Sequence, residues 1–305
     1  MPNTVLILGA NGRFGRHAAE AFWNSGWRVR LFDRRIDTLV DAAEGADLIV
    51  NAWNPPYPAW QNEVPKLTSR VIAVAKSSGA TVLIPGNLYV YGKGSAKRLS
   101  PDTPHRATNP LGRVRIEMEN AYRDAGVKTI VLRAGDFIDT EVSGNWFEGV
   151  ITAKACKGLL VAPGHPNTMH AWAYLPDMAK AAVQLAEMRD RLETFEDVPF
   201  PGYALSLTDI ALLASQATGR DTRIRRFPWP MIQLASMVWP MGRHLSEMRY
   251  LWDMPHEIDG ARFGTLLPDF RGTPPVQAVA RSLGFDYDVY PHQPVTRRNF
   301  GIAAE

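Results

Sequence analysis

A glycine-rich turn close to the start of the sequence constrains the fold of this chain more than any other segment. Residues 5–8 are a short apolar run typical of a buried strand, and residues 13–25 repeat apolar side chains at helical spacing. Gly9, Gly12 and Gly15 lie at the turn between them. Glycines there let the backbone approach a pyrophosphate, whose charge the N–H groups and dipole of a helix N-terminus can hold. The segment predicts a dinucleotide site, with a bare strand-to-helix turn as the alternative.

An acidic residue after the second strand supports this prediction. Residues 28–32 read as that strand, and Asp33 follows it, about 20 residues beyond the last glycine. A carboxylate there can accept hydrogen bonds from the adenosine ribose hydroxyls and repels a 2′-phosphate, so NAD is favoured. NADP stays possible because Arg34 and Arg35 could bind that phosphate, unless they belong to an ordinary solvated turn.

The loop after the third strand is expected beside the phosphates and the nicotinamide. Within it, Trp53 either forms a wall of the cofactor site or packs against the turn at Pro55 and Pro56. The expected cofactor contacts come from the glycine turn, from the loops after the second and third strands and from a later helix: Gly9, Asn11, Gly12, Arg13, Phe14, Gly15, Asp33, Arg34, Asn51, Ala52, Trp53 and Arg115.

Short apolar strands alternate with helices through the first half of the chain. The strands are bounded by Gly, Asp or Pro, as buried parallel strands are, at residues 5–8, 28–32, 48–51, 81–84 and 129–133. Helical patterns at residues 65–76 and 111–124 supply crossovers. We therefore predict an α/β fold with a Rossmann-like, doubly wound parallel sheet, in which ligands bind beyond the carboxyl ends of the strands.

The second half of the chain is predicted to be mainly helical. Helical patterns occupy residues 145–156, 176–188 and 207–218, and strand signals become few. We assign residues 1–190 to a cofactor-binding domain and 191–305 to a smaller substrate or lid region, with an approximate boundary across which elements can interleave. Residues 225–269 concentrate Trp, Met and Pro; they either pack their aromatic rings on the sheet or form a lid over an apolar or amphipathic substrate or an oligomer contact.

The composition excludes several classes of protein. Lys and Arg outnumber Asp and Glu by only 34 to 31, without a basic run, so a nucleic-acid partner is not expected. The single cysteine, Cys156, excludes an internal disulfide and a cysteine-rich metal site and fits a reducing, cytoplasmic setting. The seven histidines form no close pair, so no metal is expected. No Gly-x-Ser-x-Gly turn follows a strand, so a hydrolase is unsupported.

No membrane span or leader peptide is predicted. The first strand is too short to serve as a signal sequence, and no basic region precedes it. The longest apolar stretch, residues 229–241, contains Pro230 and Pro240 and is shorter than the roughly 20 residues that a membrane span requires.

Four motifs together resemble a known family. They are Gly9-x-x-Gly12-x-x-Gly15, Leu88-Tyr-Val-Tyr-Gly92, Val131-Leu-Arg-Ala-Gly-Asp136 and Trp172-Ala-Tyr-Leu-Pro-Asp177. In this order they resemble the extended and atypical short-chain dehydrogenase/reductases, the branch that includes sugar-nucleotide epimerases and dehydratases. The resemblance covers roughly residues 4–190 and implies a dinucleotide-binding enzyme that acts on a small molecule. The 13 positions between Asp33 and Asp47 are too few for the extra strand and helix usual in that family.

The catalytic positions implied by the resemblance are altered. In the family a tyrosine donates or accepts the proton, a lysine four residues later lowers its pKa, and a serine binds the substrate oxygen. The matching positions here hold Leu111, Arg115 and Asn87. Arginine can still bond to ribose hydroxyls, but its charge is permanent and no tyrosine lies beside it in the motif.

Other side chains are therefore candidates for the chemistry. Our choices are Asn87, as a donor to a substrate carbonyl, Tyr89, as a proton donor, and Arg115, as the cation that a phenol needs near neutral pH. Four further side chains stay open as proton donors, although each has a structural explanation: Tyr91, Asp136, His165 and His170.

Two functions remain after these steps. The first is an NAD(P)-dependent oxidoreductase or epimerase-like enzyme with a nonstandard proton relay, acting on an unknown carbonyl or alcohol. The second is a catalytically silent dinucleotide-binding regulator or assembly protein, which loss of the tyrosine–lysine pair favours. A homodimer is possible, because helices such as residues 111–124 commonly pair between subunits in families of this kind.

Overall fold

The computed structural model describes residues 2–285 and contains thirteen strands and eleven α-helices within them. The strands are β1 (Thr4–Leu8), β2 (Arg28–Leu31), β3 (Leu48–Asn51), β4 (Thr81–Gly86), β5 (Arg98–Leu99), β6 (Thr129–Arg133), β7 (Asp136–Ile138), β8 (Leu159–Ala162), β9 (His170–Tyr174), β10 (Phe195–Pro199), β11 (Tyr203–Leu205), β12 (Arg223–Arg226) and β13 (Glu257–Ile258). The helices are α1 (Arg13–Asn24), α2 (Leu39–Ala43), α3 (Trp60–Ser78), α4 (Pro110–Asp124), α5 (Leu175–Glu187), α6 (Leu207–Thr218), α7 (Trp229–Ala235), α8 (Pro240–Met248), α9 (Tyr250–Asp253), α10 (Ala261–Leu266) and α11 (Pro275–Ser282).

A six-stranded parallel sheet forms the centre, in the order β10-β6-β4-β3-β1-β2. β1 lies between β2 and β3, with Val5 beside Val29 on one side and Leu8 beside Asn51 on the other. Both faces of β1 are buried, which explains its apolar run from Val5 to Leu8. The predicted fold class is confirmed, and all five predicted strands are present.

Helices cover both faces of the sheet. α1 and α5 pack together on one face, where Phe14, Phe22 and Met178 belong to one apolar core. α3 and α4 pack on the other face, where Trp60 and Tyr122 belong to a second core. The glycine turn and the ends of β3, β4 and β6 are held between these layers, so their loops meet at one edge of the sheet.

Two features of the second half of the chain bear on the prediction. β10 follows residue 190 and forms the edge strand of the central sheet, so the two proposed regions interleave there; the end of the second region, residues 286–305, lies outside the described residues. The continuous helix predicted for residues 145–156 is wrong: a π-helix at Phe147–Ile151 and a 3₁₀ turn at Ala155–Lys157 stand there. Glycine at 149 and β-branched Val150 and Ile151 disfavour a regular helix.

The tryptophan-rich segment divides between core and surface. Trp229 and Trp252 are buried, whereas Trp239 is exposed. None of the helices within residues 2–285 is both long and apolar enough to cross a bilayer.

Candidate functional site

The glycine turn is a tightly packed backbone loop. Gly9 has φ +80°, and a Cβ added there would lie 2.9 Å from the carbonyl oxygen of Ala52. A Cβ at Gly15 would lie 2.1 Å from the Gly9 carbonyl oxygen, and one at Gly12 would lie 3.0 Å from the same atom. The Gly12 N–H closes the turn by donating to that oxygen over 2.8 Å. Side chains at these positions would press against the backbone of the turn and of Ala52, so the turn keeps this shape because the three residues are glycines.

The start of α1 is suited to an anion. Gly12 is the N-cap, and no side chain in the described part of the protein caps it, so the N–H groups of the first turn stay available. The Arg13 guanidinium adds positive charge there and is held by the carbonyls of Ser143 and Gly144, at 3.1 and 2.6 Å. The Phe14 side chain packs in the core, so at this position only the backbone is free to face a ligand.

The acidic residue after β2 is paired. Both carboxylate oxygens of Asp33 accept from the Arg35 guanidinium, the shortest bond being 2.6 Å, and Oδ1 also accepts from the Arg35 N–H. These bonds lower the pKa of Asp33 to about 2. Asp33 is therefore ionised at neutral pH, and exposed Arg34 follows it.

The loop after β3 lies against the glycine turn. A Cβ at Gly9 would come within 3.3 Å of Cδ1 of Trp53, whose ring meets Phe32 edge-on at 5.5 Å. Trp53 thus stands beside the turn, where a wall of the site is expected. The Asn51 amide is buried and donates to the Tyr122 hydroxyl over 3.0 Å, so its side chain is engaged within the protein.

Two tyrosine hydroxyls meet at the carboxyl end of β4. The hydroxyls of Tyr57 and Tyr89 are 2.5 Å apart, and the Trp60 ring packs against both phenols. Burial raises the pKa of each phenol, that of Tyr89 strongly. Asn87 orders this segment because its side-chain oxygen accepts from the Tyr89 N–H at 3.0 Å, which leaves its amide N–H₂ as a possible donor.

Arg115 lies behind this pair. Its guanidinium is 4.2 Å from the centre of the Trp60 ring and donates to the Asn54 side-chain oxygen over 2.9 Å. Its buried Nε has no hydrogen-bond partner among residues 2–285. Burial lowers the pKa of Arg115, while its charge lowers the pKa values of Tyr57 and Tyr89. The structure thus brings Asn87, Tyr89 and Arg115 together, and adds Tyr57, which the sequence analysis missed.

Leu111 is enclosed rather than open to a ligand. Its side chain is buried, and its N–H donates to Glu247 Oε1 over 2.7 Å. The same oxygen accepts from the Asn109 amide at 2.8 Å. α8, which carries Glu247, therefore covers the start of α4, and its His244 ring lies 6.4 Å from that of Tyr57.

A second polar group lies where β6 leads into β7. His170 Nε2 and Asp136 Oδ2 are 2.6 Å apart, and the Trp252 ring stacks on the imidazole at 4.3 Å. His170 Nδ1 is buried without a hydrogen-bond partner in the described chain. The adjacent His256 is buried, which lowers its pKa to about 3. Asp136 is the member of this group that is accessible.

The remaining candidates are remote or structural. His165 is exposed on the loop after β8. Tyr91 is buried, and its hydroxyl donates to the Ser100 carbonyl over 3.3 Å. His105, Glu119 and Asp197 come close enough to resemble a metal site, but the Arg133 guanidinium already fills the space between the two carboxylates.

A cavity of about 310 Å³ lies beside β10, the edge strand of the central sheet opposite β2. Phe200, Phe263 and Phe270 form its apolar walls. β10 and β1 are four strand spacings apart, about 19 Å, so this cavity is separate from the glycine turn.

Solved structures share this arrangement. A GalE-like L-threonine dehydrogenase from Cupriavidus necator, in its apo form, matches with a TM-score of 0.71 over 93% of this chain and 99% of its own, at 18% identity. UDP-glucose 4-epimerase from Bifidobacterium longum, in complex with NAD⁺ and UDP, matches with a TM-score of 0.69 over 92% of this chain and 97% of its own, at 16% identity. MoeE5 in complex with UDP-glucose and NAD matches with a TM-score of 0.71 over 93% of this chain and 98% of its own, at 17% identity.

This chain has the fold of the extended short-chain dehydrogenase/reductases. The resemblance seen in the sequence is thus confirmed at the level of the fold. No protein-family model matches the sequence, and no curated protein sequence matches it either. At these identities the ligands named in the solved structures belong to those proteins.

Proposed function

We propose that this protein is an NAD-dependent oxidoreductase or epimerase-like enzyme that acts on a carbonyl or alcohol through a relay of two tyrosines. The observation that carries the proposal is the 2.5 Å contact between the hydroxyls of Tyr57 and Tyr89, at the strand edge where the nicotinamide is expected. Two half-buried phenols beside a cation can pass a proton between them. Tyr57 and Tyr89 would take the role of the family's catalytic tyrosine, whose position is occupied here by Leu111.

The glycine turn fits a dinucleotide. Its three glycines permit the tight turn that leads into α1, and the start of α1 offers N–H donors together with the charge of Arg13. Two of the three solved structures named above contain NAD. Ionised Asp33 would accept from the ribose hydroxyls and oppose a 2′-phosphate, so we favour NAD; Arg34 is the residue that would admit NADP.

The residues divide the chemistry as follows. Bound cofactor supplies or accepts the hydride. In the reducing direction, Tyr89 would donate its hydroxyl proton to the substrate oxygen as the C–H bond forms, Tyr57 would return a proton to Tyr89, and a solvent proton would restore Tyr57. Arg115 stabilises the transient phenolate, and the Asn87 amide donates to the same substrate oxygen. Because burial keeps both phenols protonated, we expect the pair to act first as an acid.

One observation favours the second function, a regulator that binds the dinucleotide without turnover. α8 lies over the start of α4 through the bonds from Leu111 and Asn109 to Glu247, at the position where family members carry their tyrosine. A site covered in this way could sense the cofactor without admitting a substrate. The regulator predicts saturable binding of NAD and no turnover with any substrate.

The deciding experiment compares two tyrosine variants. Quenching of the nine tryptophans by NAD, NADH, NADP and NADPH first measures cofactor binding. NADH oxidation is then followed with aldehydes, ketones and keto sugars, and isomer exchange with nucleotide sugars. We expect Tyr89→Phe to bind NADH like the parent protein but to lose about 100-fold or more of the turnover.

Tyr91→Phe is the matched control, because its ring is buried two residues away while its hydroxyl bonds only to a backbone carbonyl. It should retain turnover. Full activity of Tyr89→Phe would refute the relay, and absence of binding by all four dinucleotides would refute both functions.

A further inference from the structure

An exposed apolar surface surrounds the turn between α7 and α8. It consists of Met231, Leu234, Met237, Val238 and Trp239, which we call the apolar tip. Val238 is 89% exposed and Met237 is 67% exposed. Consecutive exposed apolar side chains lower the solubility of a protein, so in natural proteins such a patch usually marks an interaction site.

The chain around the apolar tip is basic. No Asp or Glu occurs between Asp221 and Glu247, whereas this stretch contains four arginines, at positions 223, 225, 226 and 243. All four are exposed. Arg243 also lies on the tip itself, because its guanidinium donates to the carbonyls of Ser236 and Met237, at 2.9 and 3.3 Å.

We propose that the apolar tip docks this protein onto the surface of an anionic lipid bilayer. Methionine, leucine and tryptophan side chains can enter the boundary between headgroups and acyl chains, while the arginines attract anionic headgroups. The helices are too short to span the membrane, so the protein lies on one face of it. The proposal is independent of the chemistry assigned to Tyr57 and Tyr89.

The shape and charge of the tip favour lipid over a second copy of the chain. In a twofold dimer the same patch faces itself, so Arg243 at one tip would approach Arg243 at the other. A stable protein interface also needs about 800 Å² of matching surface on each partner. Side chains as exposed as Val238 form a projecting surface, which a fluid bilayer can accommodate without a complementary shape.

The other side of the same hairpin faces the candidate site. α8 contacts the turn that carries Tyr57 and holds the start of α4 through Glu247. Docking through the apolar tip would therefore bring the mouth of that site close to the bilayer, where apolar or amphipathic compounds are concentrated.

Vesicle co-sedimentation tests the proposal with the full-length protein. The probes are large vesicles of phosphatidylcholine alone and of phosphatidylcholine with phosphatidylglycerol. We expect binding to the anionic vesicles, weakened by raising the salt from about 0.05 to 0.5 M. The paired substitution Met237→Asp with Val238→Asp should reduce the bound fraction about tenfold or more, because it places two charges at the inserting surface.

The matched control is Val142→Asp, since Val142 is 81% exposed but lies on the loop after β7. It should change binding less than about twofold. If the tip variant misfolds, Arg225→Gln with Arg226→Gln replaces it and should weaken binding to anionic vesicles about tenfold. The proposal would be overturned if the parent protein stayed in the supernatant with anionic vesicles, which would mean that the tip does not bind lipid. It would also be overturned if the protein formed a dimer in solution that the tip variant dissociated, which would mean that the tip binds a second copy of the chain.

Discussion

Arg133 and Glu119 form a buried bidentate pair, with Nη1–Oε1 and Nη2–Oε2 distances of 3.1 and 2.7 Å. Each side chain is only 1% exposed. Arg133 also donates to Asp197 on β10 and, over 2.8 Å, to the carbonyl of Asn87. One guanidinium therefore connects α4, β10 and the segment that leads to Tyr89, so it positions the candidate site as well as stabilising the sheet edge.

We expect Arg133→Met to be strongly destabilising. Removal of the cation leaves Glu119 buried without its partner, and breaking such a pair lowers the free energy of unfolding by about 3–5 kcal/mol. Urea denaturation measures the loss. Arg98→Met is the control, because Arg98 is exposed in its pair with Asp259 and the loss of that pair should cost less than about 1 kcal/mol. Equal effects of the two substitutions would contradict this account.

The glycine turn gives a second prediction. In Gly15→Ala the new Cβ would lie 2.1 Å from the Gly9 carbonyl oxygen, so the turn must shift and the α1 N–H groups with it. We expect NAD affinity to fall about tenfold or more and stability to fall by about 1–3 kcal/mol. Tryptophan quenching and thermal unfolding measure the two effects.

Gly264→Ala is the control for that substitution. An added Cβ at Gly264 meets no described atom within 4 Å, and the position is helical. It should leave NAD binding unchanged and alter stability by no more than about 1 kcal/mol. A Gly15→Ala variant that binds NAD as well as this control would argue against the turn as the cofactor site.

Local sequence patterns were enough to predict the centre of the fold. The strands around the glycine turn are apolar and short, and each ends at a loop residue of the site. β10 was missed because Glu196 and Asp197 interrupt its apolar pattern, and their partners, Arg262 and Arg133, are distant in the sequence. The charges are stabilised by tertiary contacts that spacing along the chain does not reveal.

The candidate site was predictable only in part. The motif around Tyr89 identified one phenol, but Tyr57 carries no signal beyond its place in the loop after β3. Its partner is 32 positions away, and the two hydroxyls meet only because β3 and β4 are neighbours. Glu247 is more distant still, 136 positions from the N–H it accepts, so no local pattern could place it at Leu111.

Cofactor choice is testable at Asp33. In Asp33→Ala the carboxylate that opposes a 2′-phosphate is lost and Arg35 is released from its pairing, so two exposed arginines face the ribose position. We expect the ratio of NADPH to NADH affinity to rise about tenfold or more. Tryptophan quenching by both cofactors measures it. Asp102→Ala, which removes an exposed carboxylate on the loop after β5, is the control, and an unchanged ratio in Asp33→Ala would remove this residue from the site.

Glu148 links stability to pH. It is 4% exposed in the π-helix, where one carboxylate oxygen accepts from the Asp139 N–H and the other has no hydrogen-bond partner within residues 2–285. Burial raises its pKa from 4.5 to about 7. Asp139 differs: burial opposes its ionisation, but hydrogen bonds from His17, Ser143 and Arg16 lower its pKa to about 2.

The raised pKa of Glu148 fixes the sign of the effect. Between about pH 4.5 and 7 the folded protein keeps a proton that the unfolded chain releases, so this contribution to stability is complete below 4.5 and is lost as the pH rises through 7. The loss amounts to about 3 kcal/mol. Glu148→Gln cannot ionise, so its free energy of unfolding should change less over this range and exceed that of the parent protein at pH 8. Urea denaturation from pH 5 to 8 measures both curves; parallel curves would mean that Glu148 is already ionised in the folded protein.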